Sequence, residues 1–440
     1  MNTPTQLSKS AALYERALKV LPGGVSRNTV LRNPHPAYAD FGEGCWLTDI
    51  EGVKRRDFAN NMASLIHGHA DPDTVDAVIK QVGKGSAFTM ATEIEVQYAE
   101  HLCSRNPGFE KIRFVNSGTE ALMVSLKASR AFTGRAKIAK VEGAYHGGYD
   151  YAEVSQAPNP DTWGDIDHPK SVPLAHGTPE SALNDVVIIP FNDPERAIKI
   201  LDEHADQLAC VLLDLMPHRV GLRPADLEFV TAIREWTTKN GALLVLDEVI
   251  TFRTEFGGLQ TRYGICADLT AMGKMIGGGF PIGAVAGRSD VMDVLNPRSK
   301  KLLFPHSGTF SANPITMTAG LAAMKRFDMQ TVARLNELAE RAMTGIEDAI
   351  RETGAVACVT GAGTMFRVHM KAQPPQNFRE AYLTPEENAR LNALLEHMFQ
   401  SGFVMINTCT ATLSTPMTES DIDALIAAYK EGFVKMVAAN

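Results

Sequence analysis

From about residue 90 to residue 290, short apolar runs alternate with stretches of helical period. The runs are "KIRFV" (111–115), "KIAKV" (137–141), "VVIIP" (186–190), "ACVLLDL" (209–215), "ALLVLDEV" (242–249) and "PIGAVAG" (281–287). Strands buried on both faces read as near-continuous apolar runs, so this pattern predicts an α/β region with a mostly parallel sheet between helices. Beyond about 312 helical periodicity dominates, in "NPITMTAGLAAMKRF", "QTVARLNELAERAMTGIEDAIRE" and "EENARLNALLEHMFQ", with a few strands between. That predicts a second, α+β portion. At the other end, a helix over about 7–20 is stopped by "LPGG", and residues 35–60 read as short strands joined by turns such as "DIEG". No internal repeat is evident.

A chain of 440 residues exceeds one ordinary core, so about two domains, or one large domain with a smaller companion, are expected. The net charge of -8 argues against a nucleic-acid footprint or a membrane-seeking basic face. Six scattered cysteines without a CxxC pair read as reduced thiols. No run reaches the roughly 18 apolar residues of a membrane span, and the first residues lack the apolar core of a signal peptide. These features predict a soluble, cytoplasmic protein.

The chemistry gathers at the ends of the apolar runs. In "FVNSGTEALMVSLKASRAF" a strand ends at Val115 and a helix opens at Ser117. Ser117 and Glu120 fit a capping box; Gly118 permits close backbone approach and Thr119 adds a hydroxyl, a combination suited to phosphate. In isolation it reads rather as an ordinary capped helix. Tyr145 and His146, in "VEGAYHGGYD", follow a strand and offer a flat ring for stacking, or merely cover the sheet edge. Asp247 and Glu248 close the strand "ALLVLDEV", where α/β sheets bind ligands. Adjacent strand residues face opposite ways, so only one faces a site there; the other caps backbone or meets an arginine such as Arg253. The cluster His67, His69, Asp71 and Asp73 in "HGHADPD" suggests a metal, yet no third ligand has local spacing, and a loop before a helix near Asp71 is the better reading. No G-x-S-x-G elbow is present. Lys274, in "MGKMIGGGFPIGA", stands in an apolar stretch before three glycines. Burial lowers a lysine pKa toward the free amine that attacks an aldehyde. A lysine, a carboxylate for a pyridinium nitrogen, a phosphate cup and a ring clamp are together the requirements of pyridoxal phosphate.

With these motifs in this order, the chain resembles the class III aminotransferases, pyridoxal phosphate enzymes of fold type I. The likeness runs from "ERALKVLPGGVSR" through "RFVNSGTEA", "EGAYHG", "LLVLDEVIT" and "DLTAMGKMIGGGFPIGAVAGRSDVM" to "HSGTFSANPITMTAG". Within that group it is similar to glutamate-1-semialdehyde aminomutases and to β-amino-acid (β-phenylalanine type) aminotransferases. The resemblance implies a large cofactor domain over 61–309, with a mostly parallel seven-stranded sheet sandwiched by helices. It also implies a small α+β domain over 310–440, an N-terminal segment 1–60 packing with it, and a homodimer with shared sites.

Position by position, the resemblance implies that Lys274 binds the cofactor as a Schiff base and shuttles the substrate proton. Asp247 would pair with the ring nitrogen, and Val249 would press on the ring face. Ser117, Gly118 and Thr119 would hold the phosphate. Tyr145 would stack on the ring with His146 beside it, and Thr309 would reach the phosphate across the dimer interface. Arg27 would grip a substrate carboxylate, as in the β-amino-acid branch, a task suited to a guanidinium fork. No metal is implied. The chain departs from the family at "LLDLMPHRVGL", where Asp214 replaces a glutamate and Leu215 a proline, followed by Pro217 and His218. Arg219 there is a candidate second anion anchor, or faces solvent. Thr408 stands where the β-phenylalanine branch carries arginine. Transamination between an amino acid and a keto acid is the expected reaction, with an intramolecular amino shift or racemisation as alternatives.

Overall fold

The structure, a computed structural model, describes residues 8–438. Near the N-terminus β1 (Ala39–Glu43), β2 (Trp46–Asp49) and β3 (Lys54–Asp57) form antiparallel neighbours. The central sheet contains β4 (Lys111–Val115), β5 (Lys137–Val141), β6 (Val186–Ile189), β7 (Leu208–Leu213), β8 (Leu243–Asp247), β9 (Leu269–Gly273) and β10 (Gly283–Gly287), in the order β4-β10-β9-β8-β7-β5-β6. β11 (Cys358–Ala362) and β12 (Met365–His369) follow. β13 (Phe403–Val404) returns to lie parallel to β3, and β14 (Thr410–Thr412) completes a three-stranded sheet with β12 and β11. One sheet thus joins residues near both ends of the sequence.

Six strands of the central sheet run the same way, and β10 alone is antiparallel to both its neighbours. The cause is local. Parallel neighbours need a crossover of about a dozen residues or more, and only residues 274–282 separate β9 from β10. All residues of β6, β7, β8, β9 and β10 are buried, as the unbroken apolar runs require. Each fully buried aliphatic side chain there contributes roughly 1.5–3 kcal/mol.

Several elements are shorter than their apolar patterns. The first helix spans Lys9–Ala17, capped by Ser8, rather than about 7–20; residue 7 lies outside the described residues. It ends in turns because Pro22 lacks a backbone donor and Gly23 and Gly24 take left-handed conformations (φ 64° and 75°). β7 stops at Leu213 because Asp214 turns the chain, accepting from Met216 N at 2.9 Å. β8 stops at Asp247 for the same reason, with Val249 N bonded to its Oδ1 at 3.0 Å.

The helices Pro72–Val82, Pro314–Arg326, Met329–Thr353 and Pro385–Gln400 occupy the predicted stretches. Pro314–Arg326 presses on the turn that follows β9. A Cβ on its Gly320 would lie 2.4 Å from Ile276 O and 2.7 Å from the Tyr98 ring. Tyr98, stacked on Phe114, donates its hydroxyl to Ile276 O. That turn is therefore clamped from two sides.

Candidate active site

Three strands end side by side. β4 closes at Val115, β8 at Asp247 and β9 at Gly273, while β10 starts there with Gly283 in register with both Val115 and Gly273. A Cβ on Gly283 would lie 1.9 Å from Ser117 O, so only glycine lets the turn after β4 cross this strand. This is the crevice where α/β sheets take their ligands.

The helix Gly118–Thr133 opens over the crevice with Ser117 as its cap, Oγ accepting from Glu120 N at 3.1 Å. Only half of the expected capping box forms: Glu120 Oε2 turns back to Asn116 N at 2.6 Å instead of Ser117 N. Among the described residues, the N–H groups of Ser117, Gly118 and Thr119 have no protein acceptor. Free donors at the positive end of a four-turn helix form an anion site. The Ser117 hydroxyl proton also stays available, because its oxygen is the acceptor in the cap.

Glycines clear the floor of the crevice. A Cβ on Gly118 would meet Val249 Cγ1 at 2.9 Å, and one on Gly273 would stand 3.3 Å from the same carbon and 3.5 Å from Gly118 Cα. The loop after β5 is tied to the helix start by Gly148 N, which donates to Thr119 Oγ1 at 3.2 Å. That loop carries Tyr145 and His146. Tyr145 is half exposed; partial burial, with Asp247 and Glu153 nearby, raises its phenol pKa.

His146 and Asp247 are both buried, and the imidazole Nδ1 lies 2.8 Å from Asp247 Oδ2. Burial lowers the His146 pKa, with Asp247 pulling the other way, so the neutral ring donates from Nδ1. With Val249 N on Oδ1, both carboxylate oxygens are held in place. Among the described residues, His146 Nε2 is buried without a partner.

Lys274 is the first residue after β9 and begins the short turn Lys274–Gly277. Its backbone is left-handed, φ 49°, a conformation that costs a non-glycine residue about 1–2 kcal/mol. Burial lowers its pKa, while Asp247 and Asp214 pull it back up. Among the described residues its amine has no hydrogen-bond partner. Asp214, fully buried, is raised well above the usual carboxylate range by burial and by Asp247.

Glu248 faces the other way, as strand alternation demands. It accepts from Leu259 N at 2.7 Å and Gln260 N at 2.9 Å, and burial raises its pKa to about 7. Of the two partners expected for it, backbone wins. Arg253 instead donates to Thr364 Oγ1 at 2.7 Å, to Ala63 O at 3.0 Å and to Leu413 O.

The structure thus brings Ser117, Gly118, Thr119, Tyr145, His146, Asp247, Val249 and Lys274 to one crevice. Arg27 and Thr309 share no hydrogen bond with this group: Arg27 Nη1 donates to Asn61 Oδ1 at 2.7 Å, and Thr309 is exposed beside Gly308. His67 and His69 part company. His67 bonds Thr415 Oγ1 at 2.9 Å and Ala323 O at 2.8 Å, His69 bonds Asp57 at 2.8 Å, and Asp71 caps the helix Pro72–Val82. Sequence reasoning missed that His146 is the partner of Asp247, since 101 positions separate them.

The donor set suits pyridoxal phosphate. Unpaired N–H groups at a helix start suit a phosphate, a floor cleared of Cβ atoms leaves room for a flat ring, and the same crevice holds a fixed carboxylate and an unpartnered amine. The comparisons agree. The chain matches the family described as aminotransferase class-III over residues 30–426, and it belongs to that family of pyridoxal phosphate enzymes. It is 38% identical over 430 residues to a glutamate-1-semialdehyde 2,1-aminomutase of Pyrobaculum aerophilum, covering 95% of this chain and 98% of that protein. Among solved structures, an omega-transaminase from Sphaerobacter thermophilus superposes with a TM-score of 0.95 at 43% identity, covering 98% of both chains. A β-phenylalanine aminotransferase from Variovorax paradoxus gives 0.87 at 32% identity, with 98% and 94% covered.

Proposed function

We propose that this enzyme moves an amino group from a carboxylated amine, such as a β-amino acid, to a separate keto acid. The observation that carries the reading is the unpartnered, desolvated amine of Lys274, which Asp247 acts on and which follows Gly273, packed against Gly118 at the open helix start. When bound, pyridoxal phosphate withdraws electrons from the amine-bearing carbon of the substrate, so that a proton there can leave. Lys274 Nζ would hold the cofactor through its aldehyde carbon, with loss of water, and once freed by a substrate amine its neutral amine would be the base that moves the proton leaving the substrate carbon.

Asp247 keeps the ring nitrogen protonated, held to that task by His146 Nδ1 and Val249 N. Val249 and Tyr145 would hold the ring between them. Ser117, Gly118 and Thr119 bind the phosphate. Arg27, its fork partly engaged by Asn61, grips a substrate carboxylate. A second copy of the chain supplies Thr309 to the phosphate. Exposed Phe88, Met90 and Phe310 are apolar surface that such a partner would cover.

An intramolecular amino shift is the second reading, favoured by the likeness to the Pyrobaculum aminomutase. Nitrogen-labelled donors separate the two. Transamination puts the label into a different keto acid added to the mixture; retention of label within one carbon skeleton, across a broad panel of donors, would establish the mutase instead. Borohydride reduction followed by peptide mapping tests the nucleophile: the cofactor should remain on Lys274 in the native enzyme and be absent from Lys274→Ala.

A further inference from the structure

The loop that carries Tyr145 and His146 has little backbone bonding of its own. Among the described residues, Tyr145, His146 and Gly147 form no backbone–backbone hydrogen bond, so the residues that flank them set where they stand. On the far side, Gly148 N reaches Thr119 Oγ1. The near side is built more heavily. Gly143 N donates to Ser155 O at 2.8 Å. The buried amine of Lys140 donates to Ala144 O and Val154 O, which ties both ends of residues 144–154 to β5.

A part of the chain distant in sequence completes this anchorage. The short helix Phe378–Ala381, capped by Asn377, lies across the start of the loop. Arg379 Nε donates to Glu142 Oε2 at 2.8 Å, and its Nη2 donates to Glu142 Oε1 at 2.9 Å. The two side chains are only 16% and 5% exposed, so this forked ion pair is directional and little screened. The guanidinium also donates to Gly164 O at 2.9 Å and to Trp163 O at 3.2 Å, and the Trp163 ring meets Phe378 and Tyr382 edge-on. One residue beyond Glu142, Gly143 is left-handed, φ 75°, and a Cβ there would lie 1.9 Å from Phe378 Cδ2. Phe378 therefore fills the space that any other residue at 143 would need.

Three residues separate Glu142 from His146, and His146 must keep its place to donate to Asp247. Hydrogen bonds weaken steeply once donor and acceptor are misaligned. A small drift of the loop would thus deprive the buried carboxylate of one of its two donors.

We propose that Arg379 is a positioning residue for the cofactor: through Glu142, and through Phe378 seated on Gly143, it keeps His146 aligned on Asp247. This rests on the place given above to His146 and Asp247 at the cofactor ring.

The test reads the cofactor in the holoenzyme, without turnover. Two quantities are measured: the rate at which pyridoxal phosphate leaves on dilution, and the pH midpoint at which its visible absorption band changes. Arg379→Gln should speed release about 3- to 10-fold and move the midpoint by about half a pH unit, in the direction that His146→Phe moves it. Arg379→Lys, which keeps the charge and loses the fork, should fall between. Combining Arg379→Gln with His146→Phe should add nothing to the effect of His146→Phe alone, because the route runs through that ring. Additive effects overturn the proposal. So does a variant less stable to urea whose two cofactor readings stay native, the behaviour of a mere brace for residues 163–165. Should Arg379→Gln not fold, Glu142→Gln must show the same two shifts. If His146→Phe itself leaves both readings native, the place given to His146 at the cofactor falls, and this proposal with it. If His146→Phe shifts them and Arg379→Gln does not, the proposal alone falls.

Discussion

His146 Nδ1 and Asp247 Oδ2 lie 2.8 Å apart in a buried pair contributed by the loop after β5 and the end of β8. The imidazole supplies one of two donors that fix the carboxylate, and a hydrogen bond to a charged group contributes about 1.5–3 kcal/mol. His146→Phe keeps the bulk and removes that donor. We expect kcat/KM to fall about 10- to 100-fold and the cofactor to dialyse away faster, while Asp247→Asn, which removes the charge itself, loses at least about 100-fold. Equal activity for His146→Phe and the native enzyme would remove the pair from the mechanism.

A Cβ at Gly118 would crowd Val249 on the floor of the crevice, where the proposed function puts the cofactor ring. Gly118→Ala puts a methyl 2.9 Å from Val249 Cγ1, so the valine must move. Overpacking of this kind costs about 1–3 kcal/mol, and we expect cofactor affinity to drop about 10-fold. Adding Val249→Ala should recover part of that loss, which equilibrium titration of the apo protein with pyridoxal phosphate would measure. Additive losses in the double variant would show that the two residues act separately.

Lys140, on β5, is fully buried, with Nζ donating to Val154 O at 2.7 Å and Ala144 O at 3.1 Å. Burial, assisted by Arg219, lowers its pKa from 10.5 to about 7. Between those values the unfolded chain holds the proton and the folded chain does not, so this group makes stability rise with pH. Below pH 7 both states hold it and its contribution is flat. Urea unfolding of the apo protein at pH 7, 8 and 9 should show stability climbing relative to Lys140→Met, by up to about 1.4 kcal/mol per pH unit. Parallel curves for the two proteins would contradict the shift.

Asp214 holds its proton well above the usual carboxylate range because it is buried beside Asp247. A protonated carboxyl resembles an amide in shape and charge. Asp214→Asn should therefore retain kcat/KM within about threefold at the acid end of the activity range, where the carboxyl holds its proton, with any loss confined to the alkaline side. A large loss would mean that the carboxylate form is the working one.

The central sheet was legible because its strands are buried on both faces, and burial on both faces writes itself as apolar runs. Their ends were less so. Asp214 and Asp247 continue such runs in sequence, yet each stops its strand by bonding a backbone N–H two residues on. The crevice residues 117–119, 145–146, 247 and 274 were found because each stands at the end of an apolar run. Their partners were not. His146 meets Asp247 only through the order of the strands.

The left-handed backbone at Lys274 has a consequence for descent. Glycine would occupy that position without strain, and lysine bears about 1–2 kcal/mol to stand there. A copy of this chain released from amino-group chemistry would be stabilised by drifting to glycine at 274. Loss of the amine should thus be among the earliest changes in any descendant that keeps the fold for another purpose.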